Sequence, residues 1–340
     1  MEYLYDYLAF LAKAVTITVA VIAIIAAIVS AGSRRPKSDG GHLELRKLND
    51  LLRDMQRSVA QTFLPAAQQK KALRKDRKQD KKSAGKGEPR RRVFVIDFHG
   101  DVQASAVEHL RHEVTAVLSD ASSDDEVVVK IDSGGGMVHS YGLAASQMAR
   151  VKEHGVKLTA AIDKVAASGG YLMASVADRV LAAPFALVGS IGVIAQIPNV
   201  HRLLKNHDVD VEVLTAGEYK RTLTVFGENT EDGRAKLTEE LNDVHALFQE
   251  FVAENRPQVS LPEVATGEAW YGARAIKRNL VDELITSDAY LCTACEDADV
   301  FEVRWVEDKK PIERLLSHLG RVWNASPLGE LMEHWTGGRR

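Results

Sequence analysis

The chain has 340 residues, a formal net charge of −3 and 45% hydrophobic residues, enough apolar material for one large domain or two modest ones, which excludes a disordered or fibrous chain. Only two cysteines are present, Cys292 and Cys295, so a disulfide scaffold is excluded, and their C-x-x-C spacing lacks the second Cys/His pair that a zinc site needs. The small net charge hides an asymmetry: residues 33–92 hold 19 Lys/Arg against 7 Asp/Glu, a basic block set against an acidic remainder.

The first predicted element is the apolar run LAFLAKAVTITVAVIAIIAAIVSA, residues 8–31. A helix of that length rises about 35 Å, against a bilayer hydrocarbon core of about 30 Å. Lys13 sits near one end, where it can snorkel to the headgroups. Glu2 and Asp6 stand where a signal peptide would carry basic residues, so a retained anchor is predicted over residues 1–32. Arg34, Arg35 and Lys37 follow the run, and the positive-inside rule assigns the bulk of the chain to the cytoplasmic side.

Residues 33–92 read as a basic neck. Leucines recur at helical spacing from residue 43 and give way to lysine and arginine by residue 82. The block suits anionic lipid, at roughly 1 kcal/mol per basic residue near the surface. Aromatic residues for stacking on bases are almost absent, which argues against a nucleic-acid partner. Gly85 to Pro89 breaks the run.

Beyond Arg92 strands and helices alternate. Strands are predicted over 93–98, 127–132 and 158–163, and helices over 107–119 and 142–155, the second ending on Gly155. This rhythm indicates an α/β domain with a largely parallel sheet. The apolar stretch 180–197 is broken by Pro184, Gly189, Ser190 and Gly192, which suits buried strands and turns better than a membrane span. A further strand is expected at VDVEVLTA, residues 209–216, just before Lys220.

Sites in parallel α/β sheets gather where strands run into helices. Two such ends are glycine-rich: Ser133-Gly134-Gly135-Gly136, and Ser168-Gly169-Gly170. Consecutive glycines leave backbone N–H groups unshielded, as a developing oxyanion requires. Ser168, flanked by small residues, is a candidate nucleophile at a helix N-terminus. Its base is open on residue patterns alone: His139, His201, His207 and His245 are available but stand in no distinguishing motif, and Lys220 is one of 44 basic residues. A lysine serving as base must be brought from about 10.4 toward pH 7 to 8 by burial and by the lack of a carboxylate partner.

The motifs AASGGYLMAS (166–175), VGSIGV (188–193), AGEYKRTLTVFGENTEDGR (216–234) and ATGEAWYGARAIKRNLVDEL (265–284) together resemble the signal peptide peptidase A family of membrane-anchored serine/lysine peptidases, over Val93 to Thr286 and also in the anchor and neck. The resemblance implies Ser168 as nucleophile, Lys220 as general base, Ser190 as the hydroxyl that orients the lysine amine, and Gly135, Gly136 and Gly169 at the oxyanion hole. It implies a ClpP/crotonase-like fold of repeated ββα units over 93–300, followed by an extension over 301–340. It also implies peptide substrates, no cofactor or metal, and an oligomer whose active sites draw serine and lysine from neighbouring protomers. The location implied is the bacterial inner membrane, where the family allows a periplasmic domain although the charge rule favours the cytoplasm. Gly134 departs from the family, which usually has proline there; glycine leaves this loop freer. A catalytically silent scaffold on the same fold is the rival reading, and a crotonase-type acyl-CoA reaction, which needs no serine/lysine pair, ranks third.

Overall fold

The computed structural model describes residues 13, 15–16, 40–63 and 90–307. The rest of the expected anchor, the basic run 64–89 and residues 308–340 lie outside the described residues. Among the described residues no helix is long and apolar enough to cross a membrane. The chain divides into two compact units, one of Leu43–Trp305 and one of Met1–His42 with Val306–Arg340; the first holds the features that follow.

Its centre is a parallel sheet. Strands β2 (Arg92–Gly100), β3 (Glu126–Ser133), β4 (Lys157–Ile162) and β6 (Arg179–Ala182) pair in that order. Their apolar runs VFVI and VVV are continuous rather than alternating because both faces are covered. Phe94, Ile96 and Phe98 face a core shared with α2 (Val107–Leu118) and α3 (Val138–Glu153), while Val93 and Val95 face a second core with Leu291 and Ala294 of α9 (Ser287–Asp297). This is the period-two alternation of a strand buried between two helical layers. The predicted helix end at Gly155 is present: the glycine takes φ +78°, a conformation in which a side chain is strained.

Strand β3 forks. Its first residues pair with β4, but Ser133 at its end pairs with Ala166 of β5 (Val165–Ala167). β5 then pairs in parallel with β7 (Leu187–Gly189), and β7 runs antiparallel to β8 (Ala269–Tyr271). The stretch 180–197 therefore contributes most of β6 and all of β7 to the sheet, as Pro184 and its glycines predict. The fork brings the two glycine-rich strand ends next to each other, which spacing along the chain could not do. Strand β9 (Glu283–Leu284) borders β6, and the short helices α5 (His201–Lys205), α7 (Leu261–Val264) and α8 (Gly272–Ala275) join the larger elements.

The unit extends further toward the N-terminus than the sequence suggests. Strand β1 (Gly41–Lys47) borders β10 (Asp299–Glu307), and helix α1 (Leu48–Phe63) follows it directly. Buried Asn49 fastens this helix: its Nδ2 donates to the carbonyls of Cys295 (3.1 Å) and Ala298 (2.9 Å), and its Oδ1 accepts from the Val300 N–H (2.8 Å). Residues 43–63, read from sequence as the start of the neck, thus close one flank of the domain.

On the opposite flank lies the long helix α6 (Glu231–Asn255), started by Thr230, whose hydroxyl accepts from the Gly233 N–H. It ends at Arg256, 1% exposed, whose guanidinium donates to both oxygens of Asp282 (2.7 and 2.8 Å) and to the Asn279 carbonyl (2.8 Å). Asp282 also accepts from the Val180 N–H of β6, so this ion pair anchors the end of α6 to the sheet.

Candidate active site

Ser168 stands between β5 and the short helix α4 (Gly169–Ser175) with φ 52° and ψ −121°. A serine rarely adopts such a backbone, at a cost of about 1–3 kcal/mol, and it persists only where neighbours over-determine it. Here they do: the Ser168 N–H donates to the Gly189 carbonyl (2.8 Å), and its own carbonyl accepts from Leu172 (2.9 Å). A sharp strand-to-helix turn of this kind presents a hydroxyl at the rim of the sheet.

Ser190 has the same φ, 52°. The register Ala167↔Gly189 carries the two serines one residue past a paired position on adjacent strands. The Ser190 N–H donates to the Glu268 carbonyl (2.6 Å), which tethers this turn to the residue before β8.

The glycine loop after β3 packs against the Ser168 turn. Gly135 has φ +87°, and a Cβ there would lie 2.7 Å from both the Ser168 Cβ and the Gly169 nitrogen. A side chain on Gly136 would strike the backbone of Val102, and one on Gly169 the ring of Tyr141. Each of the three glycines is therefore required by close approach. The Gly135 N–H is occupied, donating to Ser133 Oγ at 3.1 Å. The N–H groups of Gly136 and Gly169 have no acceptor among the described residues.

A cavity of about 300 Å³ opens beside these groups, lined by Ser168, Gly136 and Gly169 on one side and by Val244, Leu247, Phe248 and Phe251 of α6 on the other. Sequence reasoning missed this apolar wall. The signal was present as residues 244, 247, 248 and 251 at helical spacing, but their partner lies far away in the chain.

Lys220 does not line the cavity. It is exposed, in a segment with neither helix nor strand, and forms no ion pair with a described residue. The strand expected over 209–216 is likewise not formed: Val209, Val211 and Val213 alternate as expected but stay 46%, 37% and 44% exposed. A β-prone run forms a ladder only beside a partner strand, and the described chain offers none there. Within a single chain, then, Ser168, Ser190, Gly135, Gly136 and Gly169 gather in one place and Lys220 does not.

Among the described residues no histidine lines the cavity. His139, His201, His207 and His245 are all outside the cavity lining. His99 Nδ1 lies 3.7 Å from Asp132, which Lys164 also approaches at 3.2 Å, but this cluster too is outside the cavity. Among the described residues no group of three or more His, Cys, Asp or Glu could hold a metal ion. Cys292 and Cys295 are unpaired thiols.

A strained serine turn, glycine N–H groups without acceptors and an apolar cavity are the parts of an acyl-transfer site. Comparison with known proteins agrees. Residues 2–148 match the model of the peptidase family S49 N-terminal region, and residues 150–300 match the peptidase family S49 model. The chain belongs to peptidase family S49. Within that family it is 46% identical, over 92% of each chain, to the "Probable protease SohB" of Haemophilus influenzae. It is 48% identical to the "Probable protease SohB" of Buchnera aphidicola subsp. Acyrthosiphon pisum, over 66% of this chain and 67% of that one. Among solved structures it is similar to a point mutant of the "1510-N membrane-bound stomatin-specific protease", with 11% identity, a TM-score of 0.42, and coverage of 61% of this chain and 85% of that one. The S49 assignment supports a peptidase, and it is the family to which the four motifs pointed.

Proposed function

We propose that this S49 peptidase is a serine endopeptidase that cleaves membrane-associated peptides, such as remnants of signal peptides, through an acyl-enzyme on Ser168. Ser168 Oγ attacks the scissile carbonyl while the neutral amine of Lys220 takes its proton. The N–H groups of Gly136 and Gly169 hold the oxyanion, and Gly135 supports them. The C–N bond then breaks, and Lys220 delivers the proton to the leaving amine. A water, deprotonated by the same lysine, releases the acyl group and restores the serine. Ser190 orients the amine. The observation that carries this reading is the strained Ser168 turn opening into an apolar cavity beside two N–H groups without acceptors.

Lys220 enters this scheme from a second copy of the chain. In support, it lies on an exposed segment that also presents Val209, Val211, Val213 and Leu214 to solvent, and docking would remove both the apolar surface and the ammonium from water, favouring the neutral amine. The apolar run 8–31 and the basic run that begins at Lys70 support attachment to a bacterial inner membrane through an anchor and lipid contact.

The test is peptide cleavage by the full-length protein. Ser168→Ala and Lys220→Ala each abolish turnover, and undiminished cleavage in either variant refutes the assignment. Mixing the two inactive variants restores up to about a quarter of wild-type activity if each site draws its serine and lysine from different chains. No recovery on mixing, in an oligomer shown to exchange subunits, removes the shared site.

A further inference from the structure

Ser133 and Tyr141 form a buried pair of hydroxyls that the chemistry above does not use. Ser133 ends β3 and is 2% exposed; Tyr141, on the first turn of α3, is fully buried. Their oxygens are 2.5 Å apart, and the Tyr141 hydroxyl lies 2.7 Å from the Asp101 carbonyl. A carbonyl can only accept, so the single phenolic proton is committed to Asp101. Ser133 must then give its own proton to the Tyr141 oxygen, which leaves a lone pair on Ser133 Oγ for the Gly135 N–H at 3.1 Å. The direction of the whole chain is thereby set: Gly135 N–H to Ser133, Ser133 to Tyr141, Tyr141 to Asp101.

Three further contacts converge on this pair. Gly100, opposite Ser133 in the β2–β3 register, has no Cβ, and one placed there would collide with both hydroxyls. The Tyr141 ring lies directly under Gly169 and is held edge-on by Phe98, with ring centroids 6.3 Å apart. At the far end of the glycine loop, the Met137 N–H donates to the Val102 carbonyl at 2.8 Å. The loop is thus fastened at both ends to residues 101–102, while nothing lies within 4 Å of where a Gly134 side chain would begin.

We propose that Ser133 and Tyr141 are positioning residues for the oxyanion hole: their hydrogen-bonded chain withdraws the Gly135 N–H from use, holds Gly136 in place, and seats Gly169 on the same aromatic ring. One side chain, Tyr141, therefore sets the spacing between two N–H donors that come from different loops. Burial keeps the Tyr141 phenol above its ordinary range, so it remains a donor throughout the neutral and mildly alkaline range. The inference rests on the peptidase reading, because an oxyanion hole matters only if Ser168 is acylated.

Tyr141→Phe retains the ring under Gly169 and removes only the hydroxyl; Ser133→Ala removes the acceptor of the Gly135 N–H. In the full-length protein each lowers kcat for a peptide substrate by about 10- to 100-fold with KM within about twofold, the pattern of an interaction strengthened in the transition state. A peptide aldehyde, which forms a tetrahedral adduct on the serine, loses affinity in parallel with kcat. The double variant loses little more than either single one, because the two hydroxyls act as a unit. Tyr290→Phe removes a comparable hydroxyl, one that donates to Glu126 at 2.6 Å away from the cavity, and leaves kcat unchanged. Wild-type kcat in Tyr141→Phe, or an equal loss in Tyr290→Phe, overturns the inference while the peptidase reading stands. If the wild-type protein neither cleaves peptides nor reacts with a fluorophosphonate at Ser168, the peptidase reading falls and takes this role with it.

Discussion

Ser168 and Ser190 leave adjacent parallel strands at matched positions, each at φ 52° and each one residue beyond the Ala167–Gly189 pair. Two strained serines side by side are a costly arrangement, and the Ser168 N–H bond to Gly189 couples them. If the Ser190 hydroxyl orients the Lys220 amine as proposed, Ser190→Ala should retain the fold and lower kcat at least about 10-fold, since only that hydroxyl is lost. Circular dichroism together with steady-state cleavage checks both halves of this expectation.

Gly135→Ala places a methyl group 2.7 Å from the Ser168 Cβ at a backbone φ of +87°. The strain and the clash should together cost about 1–3 kcal/mol of stability. They should also displace the Ser168 turn, so that fluorophosphonate labelling falls even where the protein remains folded. Gly134→Ala is the matched control: its surroundings are open, and both readings should stay near wild type.

The α6 wall of the cavity should govern which peptides are cut. Leu247→Lys puts a charge into a surface made by Val244, Phe248 and Phe251. It should lower kcat/KM for substrates with a large apolar residue before the scissile bond by about 10- to 100-fold relative to those with alanine there. A series of substrates differing at that single position measures the ratio.

Arg256→Met should strip Asp282 of its charged partner and leave the Asn279 carbonyl without its guanidinium donor. The Asp282 side chain is 30% exposed, so water offsets part of the loss, and the cost in urea unfolding should be about 1–3 kcal/mol rather than that of a fully buried pair. The double variant Arg256→Met with Asp282→Asn should recover part of it, because no unpaired charge then remains and the amide oxygen can still accept from Val180. In the native protein burial pushes the Asp282 carboxyl up, but the Arg256 guanidinium and the Val180 N–H outweigh it and hold the group below its usual range.

Acid should weaken the joint between β2 and the α2–β3 loop. Asp125 is 4% exposed, and burial alone would raise its pKa; hydrogen bonds from the Arg92 side chain and from Ser122 outweigh that and bring it down to about 2 from 3.8. A depressed carboxylate pKa means stability that is present above the unfolded value and lost as pH falls through the folded one. Asp125 therefore contributes about 2 kcal/mol at pH 6 that disappears between about pH 4 and pH 2. The urea-unfolding gap between wild type and Asp125→Asn should narrow across that interval.

Much of the domain was legible along the chain. Continuous valine and isoleucine runs specify strands covered on both faces, and the Ser-Gly-Gly turn specifies a strand-to-helix corner, because both depend on neighbours within a few residues. The strand expected at 209–216 fails for the complementary reason: alternation prescribes faces, whereas a ladder requires a partner that sits elsewhere. Residues 43–63 read as a neck because the partners of Asn49 lie in α9 and β10, at the far end of the domain sequence.

By itself the sequence marked candidates: residue type and local spacing single out Ser168 and the two glycine-rich strand ends, while Lys220 and Ser190 enter only through the resemblance of their motifs to those of a peptidase family. Only the tertiary structure decided how they are grouped. The fork in β3 unites the two glycine-rich ends, α6 closes an apolar wall over Ser168, Tyr141 joins two loops, and Lys220 is left outside. Such groupings arise from packing and hydrogen bonds between segments far apart in the chain, and no local pattern encodes the distance between them.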